Sequence, residues 1–148
     1  MQSSSSSCAT HAIAPSRVIR GERAWSESLK LIPALTRRPA LLGRSQATAD
    51  LRNQLESDLH TVGVDLVQVE LKYDCCEHDL QELQEALNSH SCDGVIAAGG
   101  GKVLDAGKLL ADRLKLSCIT VPLSASTCAG WTALSNIYST DGAFEEDV

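Results

Sequence analysis

DGVIAAGGGKVLDAGKLLADRL, running from Asp93 to Leu114, decides how the rest of the sequence is read. An apolar run meets three glycines, then Lys102, then apolar residues at helical spacing. Strand, glycine turn and helix in that order is a local architecture for holding phosphate. Glycines permit positive φ and close approach of a ligand, while the first amides and the dipole of the helix favour an anion. Gly100, Gly101 and Lys102 would present those amides. Neither common fingerprint fits. The dinucleotide pattern GxGxxG, started at Gly99 and Gly101, needs a third glycine where Leu104 stands. The P-loop fails because Ile96 occupies the place of its first glycine and Val103 follows Lys102. The physical logic survives both failures. Three consecutive glycines lose much backbone entropy on folding, so a guest such as pyrophosphate explains them better than a bare tight turn. Within the helix, Lys102, Asp105 and Lys108 recur at i, i+3 and i+6, as an exposed salt-bridged face would. Gly107 weakens the helix by about 1 kcal/mol relative to alanine.

Upstream, AIAPSRVIRG offers an extended start ended by Gly21, and AWSESLKLIPAL places Trp25, Leu29, Ile32 and Leu35 at helical spacing, with Pro33 predicting a kink or an early end. PALLGR is a candidate strand closed by Gly43. ATADLRNQLESDLHTVG predicts an amphipathic helix with Leu51, Leu55 and Leu59 on one face and Gly63 as C-cap. VDLVQVEL alternates and reads as a strand; HDLQELQEALNSHS reads as a helix with Leu80, Leu83 and Leu87 inward. Downstream, LSCITVPL is a further apolar strand, and Asp141-Gly142 between two strand-like runs predicts a hairpin. Strands alternating with helices of ten to fifteen residues predict a doubly wound α/β domain. Its sheet is mostly parallel, ends in a β-hairpin, and binds ligands at the carboxyl ends of its strands.

A second loop follows the strand after the glycine helix. In VPLSASTCAGWTALSNIY, Ser124, Ala125, Ser126, Thr127, Cys128, Ala129 and Gly130 form a run of small side chains. Such a loop cannot fill a core, but a ring can lie against it and meet hydroxyls; composition alone allows a serine-rich surface loop equally well. Two neighbouring strand ends that each carry a small-residue loop suit a bound dinucleotide.

The 148 residues suffice for one domain with a real core, and 43% apolar with 22% charged residues is ordinary for a globular chain. A net charge of −6, no basic stripe and few aromatics argue against a nucleic-acid partner, and no apolar run approaches a membrane span. MQSSSSSCATHA lacks the charged and apolar regions of a signal peptide and reads as a disordered tail over residues 1–12. The six cysteines contain no CxxC pair, so free thiols and a cytoplasmic location are expected. Cys75-x-x-His78 lacks a second ligand pair and is better read as buried packing than as a metal site.

GGGKVLDAGK followed by VPLSASTCAGWTALSNIYSTDGAF resembles the iron-containing, or group III, alcohol dehydrogenase family, most closely its glycerol dehydrogenase branch, which typically reads GGGKxxDxAK and then VPTxASTDAPxSALSVIYxxxGEF. PSRVIRGERAW looks like the family's opening segment and YDCCEHDLQEL like its second crossover, so the resemblance covers about residues 13 to 148. It implies a Rossmann-like, dehydroquinate synthase-like nucleotide-binding domain followed by a helical domain. It also implies NAD or NADP as cofactor, a zinc or iron ion polarising the alcohol oxygen, hydride transfer to nicotinamide, a small alcohol or polyol substrate and a homo-oligomeric full-length enzyme. Carried over position by position, the pyrophosphate would lie against the turn begun by Gly99 and contact Gly100, Gly101 and Lys102, with Val103, Leu104 and Asp105 nearby. Leu123, Ser124, Ala125 and Ser126 would border the cofactor, and Thr132, Leu134 and Tyr138 match its nicotinamide-side contacts.

Three departures from the family pattern bear on function. Cys128 stands where glycerol dehydrogenases carry an aspartate that binds substrate hydroxyls, and a thiol is a poor acceptor. The first strand–helix turn reads Gly43-Arg44-Ser45 where NAD-preferring members carry an aspartate for the ribose, so NADP is expected to bind at least as well as NAD. The family's metal ligands, one aspartate and two histidines, would fall beyond Val148, and His11, His60, His78 and His90 match none of them. The expectation is therefore the NAD(P)-binding domain of a metal-dependent alcohol or polyol dehydrogenase. The metal-binding helical domain would be absent from this chain, the chain alone would be inactive, and an apolar face would be left where that domain docks. A stand-alone nucleotide-binding or regulatory module, or a fragment of a glycerol-1-phosphate dehydrogenase-like enzyme, are the alternatives.

Overall fold

A computed structural model describes residues 15–125 and 127–148, so the serine-rich segment 1–12 and Ser126 lie outside the described residues. Helix α1 (Ala24–Leu29) and helix α2 (Ile32–Leu35) replace one continuous helix; Pro33 sits in the first turn of α2, where its missing amide costs nothing. Strand β1 (Pro39–Gly43) leads into helix α3 (Ala49–Thr61), and strand β2 (Val67–Glu70) into helix α4 (Glu77–Ser89). Strand β3 (Gly94–Gly99) leads into helix α5 (Gly101–Leu114), followed by strand β4 (Ser117–Pro122). Strands β5 (Asn136–Tyr138) and β6 (Phe144–Asp147) form the antiparallel hairpin, turned by Gly142 at φ 87°.

The four long strands form a parallel sheet in the order β2-β1-β3-β4. Strands β1 and β3 are buried throughout, and alternate residues feed two cores. Ala40, Leu42, Val95 and Ala97 pack with Leu80, Leu83 and Leu87 of α4 and with Leu104, Leu109 and Leu110 of α5. Leu41, Ile96 and Ala98 pack with Ile32 of α2 and with Leu55 and Leu59 of α3. This is the doubly wound arrangement, with α4 and α5 on one face and α2 and α3 on the other. The chain leaves β1 toward β2 and leaves β3 toward β4, so the strand order reverses between β1 and β3. In open α/β sheets that switch point opens a crevice at the carboxyl ends of the two strands.

Three expectations about local burial change in the structure. Leu51 is 52% exposed and Arg52 is buried instead, because the inward stripe of α3 runs through residues 52, 55 and 59 rather than straight down a four-residue row. Asp105 and Lys108 form a 3.1 Å ion pair with both side chains largely buried, not an exposed face. LSCITVPL lies at the sheet edge, so β4 is only partly covered. Gly107 has a reason invisible in helix propensity: a Cβ there would approach the Ala97 Cβ to less than 3.0 Å, so α5 rests on β3 through that glycine. Among the described residues no helix is long and apolar enough to cross a membrane.

Candidate functional site

The carboxyl ends of β1 and β3 open into a cleft of about 250 Å³ lined by Arg44, Ser45, Thr48, Gly99, Gly100, Gly101, Lys102 and Val103. It sits at the switch point, with the β1 turn as one wall and the glycine turn as the other. The glycines are needed for their size rather than for a left-handed backbone. Gly100 has φ −88° and ψ −173°, and the glycines with positive φ are Gly21, Gly63 and Gly142. A Cβ on Gly100 would lie 3.4 Å from Ser124 Oγ, and one on Gly101 would lie 3.3 Å from Thr127 Oγ1. The glycine turn and the small-residue loop thus face each other across van der Waals distance, and side chains on either glycine would fill the gap.

The helix beyond the turn is poised for an anion. Gly100 supplies no side-chain cap to α5. Its carbonyl accepts from the amides of Val103 and Leu104, each at 3.1 Å, which leaves the amides of Gly101 and Lys102 uncommitted among the described residues. On the β1 wall, Ser45 Oγ accepts from the Ala47 amide at 3.1 Å, capping the short 3-10 turn Gln46–Thr48.

The Lys102 side chain does not enter the cleft as a phosphate hook. Its ammonium pairs with the Asp74 carboxylate and lies 5.0 Å from the centre of the Tyr138 ring. Asp74 also accepts from the Cys75 amide at 2.8 Å, and Tyr138 donates its amide to the Cys75 carbonyl at 2.8 Å. Asp79, buried, holds the same loop through the amides of Tyr73 and Asp74 at 2.7 and 3.0 Å. Lys102 therefore fastens the start of α5 to the β2–α4 loop and the hairpin. Lys108 does the same one turn and a half further on: besides Asp105 it donates to the Thr132 carbonyl at 3.2 Å and to that of Leu134.

The other candidate positions spread around this centre. Val103 lies on the cleft, whereas Leu104 is fully buried in the core and Asp105 is held by Lys108. Leu123, Ser124 and Ala125 follow β4 beside the glycine turn; Leu123 donates its amide to the Gly99 carbonyl at 3.0 Å. Ser126 lies outside the described residues. Cys128 is exposed, and its carbonyl accepts from the Trp131 amide at 2.8 Å. Leu134 is exposed, and Thr132 and Tyr138 are half-buried. Sequence reasoning did not find Arg52, Asp74 or Thr48. An arginine in an amphipathic helix and an aspartate in a loop carry no local signal of what they will touch.

A dinucleotide fits the residues present: the gap at Gly100 and Gly101, the uncommitted amides and the flanking hydroxyls suit a pyrophosphate. A metal ion does not. Among the described residues no group of three or more His, Cys, Asp or Glu side chains comes together to hold one. Cys75 is fully buried, and burial, aided by the Asp105 and Asp74 charges, pushes its thiol up to about 12, far from a ready thiolate ligand. His78 points outward with its side chain 61% exposed.

Residues 15–146 match the family model described as iron-containing alcohol dehydrogenase. The chain is 37% identical over 137 residues to an uncharacterized oxidoreductase of Synechocystis sp., covering 93% of this chain and 35% of that protein. It is 41% identical over 73 residues to a glycerol dehydrogenase of Citrobacter freundii, covering 49% and 20%. A probable glycerol dehydrogenase from Sinorhizobium meliloti superposes with a TM-score of 0.77 at 22% identity, over 94% of this chain and 38% of that one, which establishes the shared fold. The chain spans about a third or less of the length of these curated relatives. With the family model matched over nearly the whole described chain, the protein belongs to the iron-containing alcohol dehydrogenase family.

Proposed function

We propose that residues 13–148 are the NAD(P)-binding domain of a dehydrogenase that moves a hydride between a small alcohol or polyol and nicotinamide. The metal would be held by a helical domain outside these residues, and residues 13–148 alone would not turn over substrate. The observation that carries this reading is the cleft at the switch point, where two walls from different strand ends meet and Gly100 and Gly101 leave a gap that side chains would fill. The cofactor supplies the hydride acceptor or donor; the chain's own residues bind and orient it.

In this reading the amides of Gly101 and Lys102 meet the pyrophosphate, and Arg44, Ser45 and Thr48 meet the adenosine end. Ser124, Ala125 and Ser126 border the cofactor, while Thr132, Leu134 and Tyr138 border the nicotinamide. Lys108 and Lys102 steady this arrangement from behind through the Thr132 and Leu134 carbonyls and the Tyr138 ring. Relatives named glycerol dehydrogenase support a polyol substrate class. Cys128, at the substrate position by resemblance, offers a poor acceptor, which supports an alcohol other than glycerol.

Titration of the purified chain with NADH and NADPH, followed by nicotinamide fluorescence, tests the reading. Saturable binding is expected, and Gly101→Val should weaken it at least about tenfold with an unchanged far-ultraviolet circular dichroism spectrum. No saturable binding of either nucleotide by the folded wild-type chain would overturn it.

A further inference from the structure

Lys102 belongs to two places at once. It lines the cleft, and its amide at the start of α5 is uncommitted among the described residues. Its ammonium turns the other way, to within 5.0 Å of the centre of the Tyr138 ring on the hairpin. One residue therefore spans from the turn that faces the pyrophosphate to the ring that borders the nicotinamide in the reading above.

Asp74 aims that ammonium. Its Oδ2 accepts from Lys102 Nζ, and its Oδ1 accepts from the Cys75 amide at 2.8 Å. The Asp74 side chain is 12% exposed and that of Lys102 42%, so the acid is the fixed member of the pair and the lysine, on its flexible stem, the adjustable one. The backbone of Asp74 is held as well. Asp79, 2% exposed, accepts from the amides of Tyr73 and Asp74 at 2.7 and 3.0 Å. The Cys75 carbonyl accepts from the Tyr138 amide at 2.8 Å. Residues 74 and 75 thus grip Tyr138 twice, through its main chain directly and through its ring by way of Lys102. Phe144 meets the same ring edge-on, with centroids 6.3 Å apart and planes at 82°. For stability alone, well-packed apolar side chains would serve as well as a largely buried ion pair. What the pair adds is direction.

We propose that Asp74 is a positioning residue for the nicotinamide half of the dinucleotide: through Lys102 it sets how the Tyr138 ring stands relative to the glycine turn. This rests on the dinucleotide reading above and adds a residue from a loop, between β2 and α4, that does not line the cleft. The pyrophosphate grip is local to the glycine turn and survives without Asp74. The placement of the nicotinamide does not, because the ring that borders it loses the cation that orients it.

Isothermal titration calorimetry of the purified chain tests it with two ligand pairs that differ only in the nicotinamide: NADH against ADP-ribose, and NADPH against 2′-phospho-ADP-ribose. In the pair the chain binds better, the wild type should favour the dinucleotide by at least about tenfold. Asp74→Asn keeps the shape and the bond from the Cys75 amide but loses the charge, and the ratio should fall at least about fivefold. A general loosening of the fold, or a lysine freed to reach the phosphates, would move both members of a pair together and leave the ratio where it was. In a Lys102→Met background, Asp74→Asn should lower the ratio no further, since its effect runs through the lysine. Circular dichroism identifies any single variant that fails to fold, and the double variant, which removes both charges together, then carries the test with the same fivefold fall. A wild-type ratio near one, a ratio unchanged in folded Asp74→Asn, or a full further fall in the Lys102→Met background overturns the proposal while leaving dinucleotide binding intact. Failure of the wild-type chain to bind either dinucleotide refutes the underlying reading as well.

Discussion

Replacing Gly107 by alanine sets two physical effects against each other. Helix propensity favours the alanine by about 1 kcal/mol. Packing opposes it, because the added Cβ would come within 3.0 Å of the Ala97 Cβ, with Val95 Cγ1 and the Ala97 Cα at 3.6 Å. Carbon atoms pack best at about 3.5–4.0 Å, so α5 would have to rise from β3 by roughly 1 Å. Ala97 is fully buried and a methyl group has no rotamer by which to yield. Overpacking of this kind costs about 1–3 kcal/mol, and lifting α5 also loosens Leu104 and Leu110, both fully buried beneath it. The net expectation is a loss of about 1–2 kcal/mol, read as a drop of about 0.5–1 M in the urea midpoint. Ala97→Gly in the same chain removes the opposing methyl, so the double variant should show a favourable coupling of at least about 1 kcal/mol. A midpoint raised by Gly107→Ala, or no coupling with Ala97→Gly, would refute the close-packing argument.

Lys108→Met leaves the buried Asp105 carboxylate without its partner and frees the Thr132 and Leu134 carbonyls, so stability should fall by about 3 kcal/mol or more. Calorimetric melting checks this, and a change below about 1 kcal/mol would contradict the buried pairing. Asp93 is pushed up by burial, but hydrogen bonds from Thr36 and from the amides of Arg37 and Arg38 outweigh that and hold its carboxyl below its usual value. Its stabilisation is present above the unfolded pKa and fades as pH falls through the folded one, from about pH 4 downward. The midpoint gap between wild type and Asp93→Asn should therefore close in acid, and a pH-independent gap would count against the network. Iodoacetamide at pH 8 should label exposed Cys128 in the native chain and spare Cys75, whose thiol sits near 12; peptide mapping that finds Cys75 modified first would contradict its burial.

The alternation of strands and helices was legible because each apolar run has a length and period of its own. Leu41 and Leu42 in PALLG, or Val95 through Ala98, need no partner to announce a strand buried on both faces. The glycine turn was legible for the same reason, since Gly99–Gly101 break one period and begin another. What escaped is long-range. Glycines at the turn could serve positive φ or close approach, and the structure uses the absence of Cβ, because Ser124 and Thr127 close in from a loop more than twenty residues away. Lys102 read as a phosphate ligand or a surface charge, and its Asp74 and Tyr138 partners lie 28 residues before it in sequence and on the hairpin after it. Leu51 was expected on the inward face of α3, and Arg52 lies there instead, held by the turn that precedes its own helix.

The strand order β2-β1-β3-β4 also shapes how the chain leaves the ribosome. Of the two strands that end up inside the sheet, β1 is made before both of its neighbours, so neither of its backbone edges can be paired until residues 67–70 and then 94–97 have been synthesised. At about 5–20 residues per second, the interval from Gly43 to Gly99 lasts roughly 3–10 s. During that interval Ala40, Leu41 and Leu42, all fully buried in the finished protein, stand in the open as an apolar segment with free edges. Chaperone occupancy during synthesis should concentrate there, and the cleft at the switch point comes into being only when the start of α5 closes its second wall.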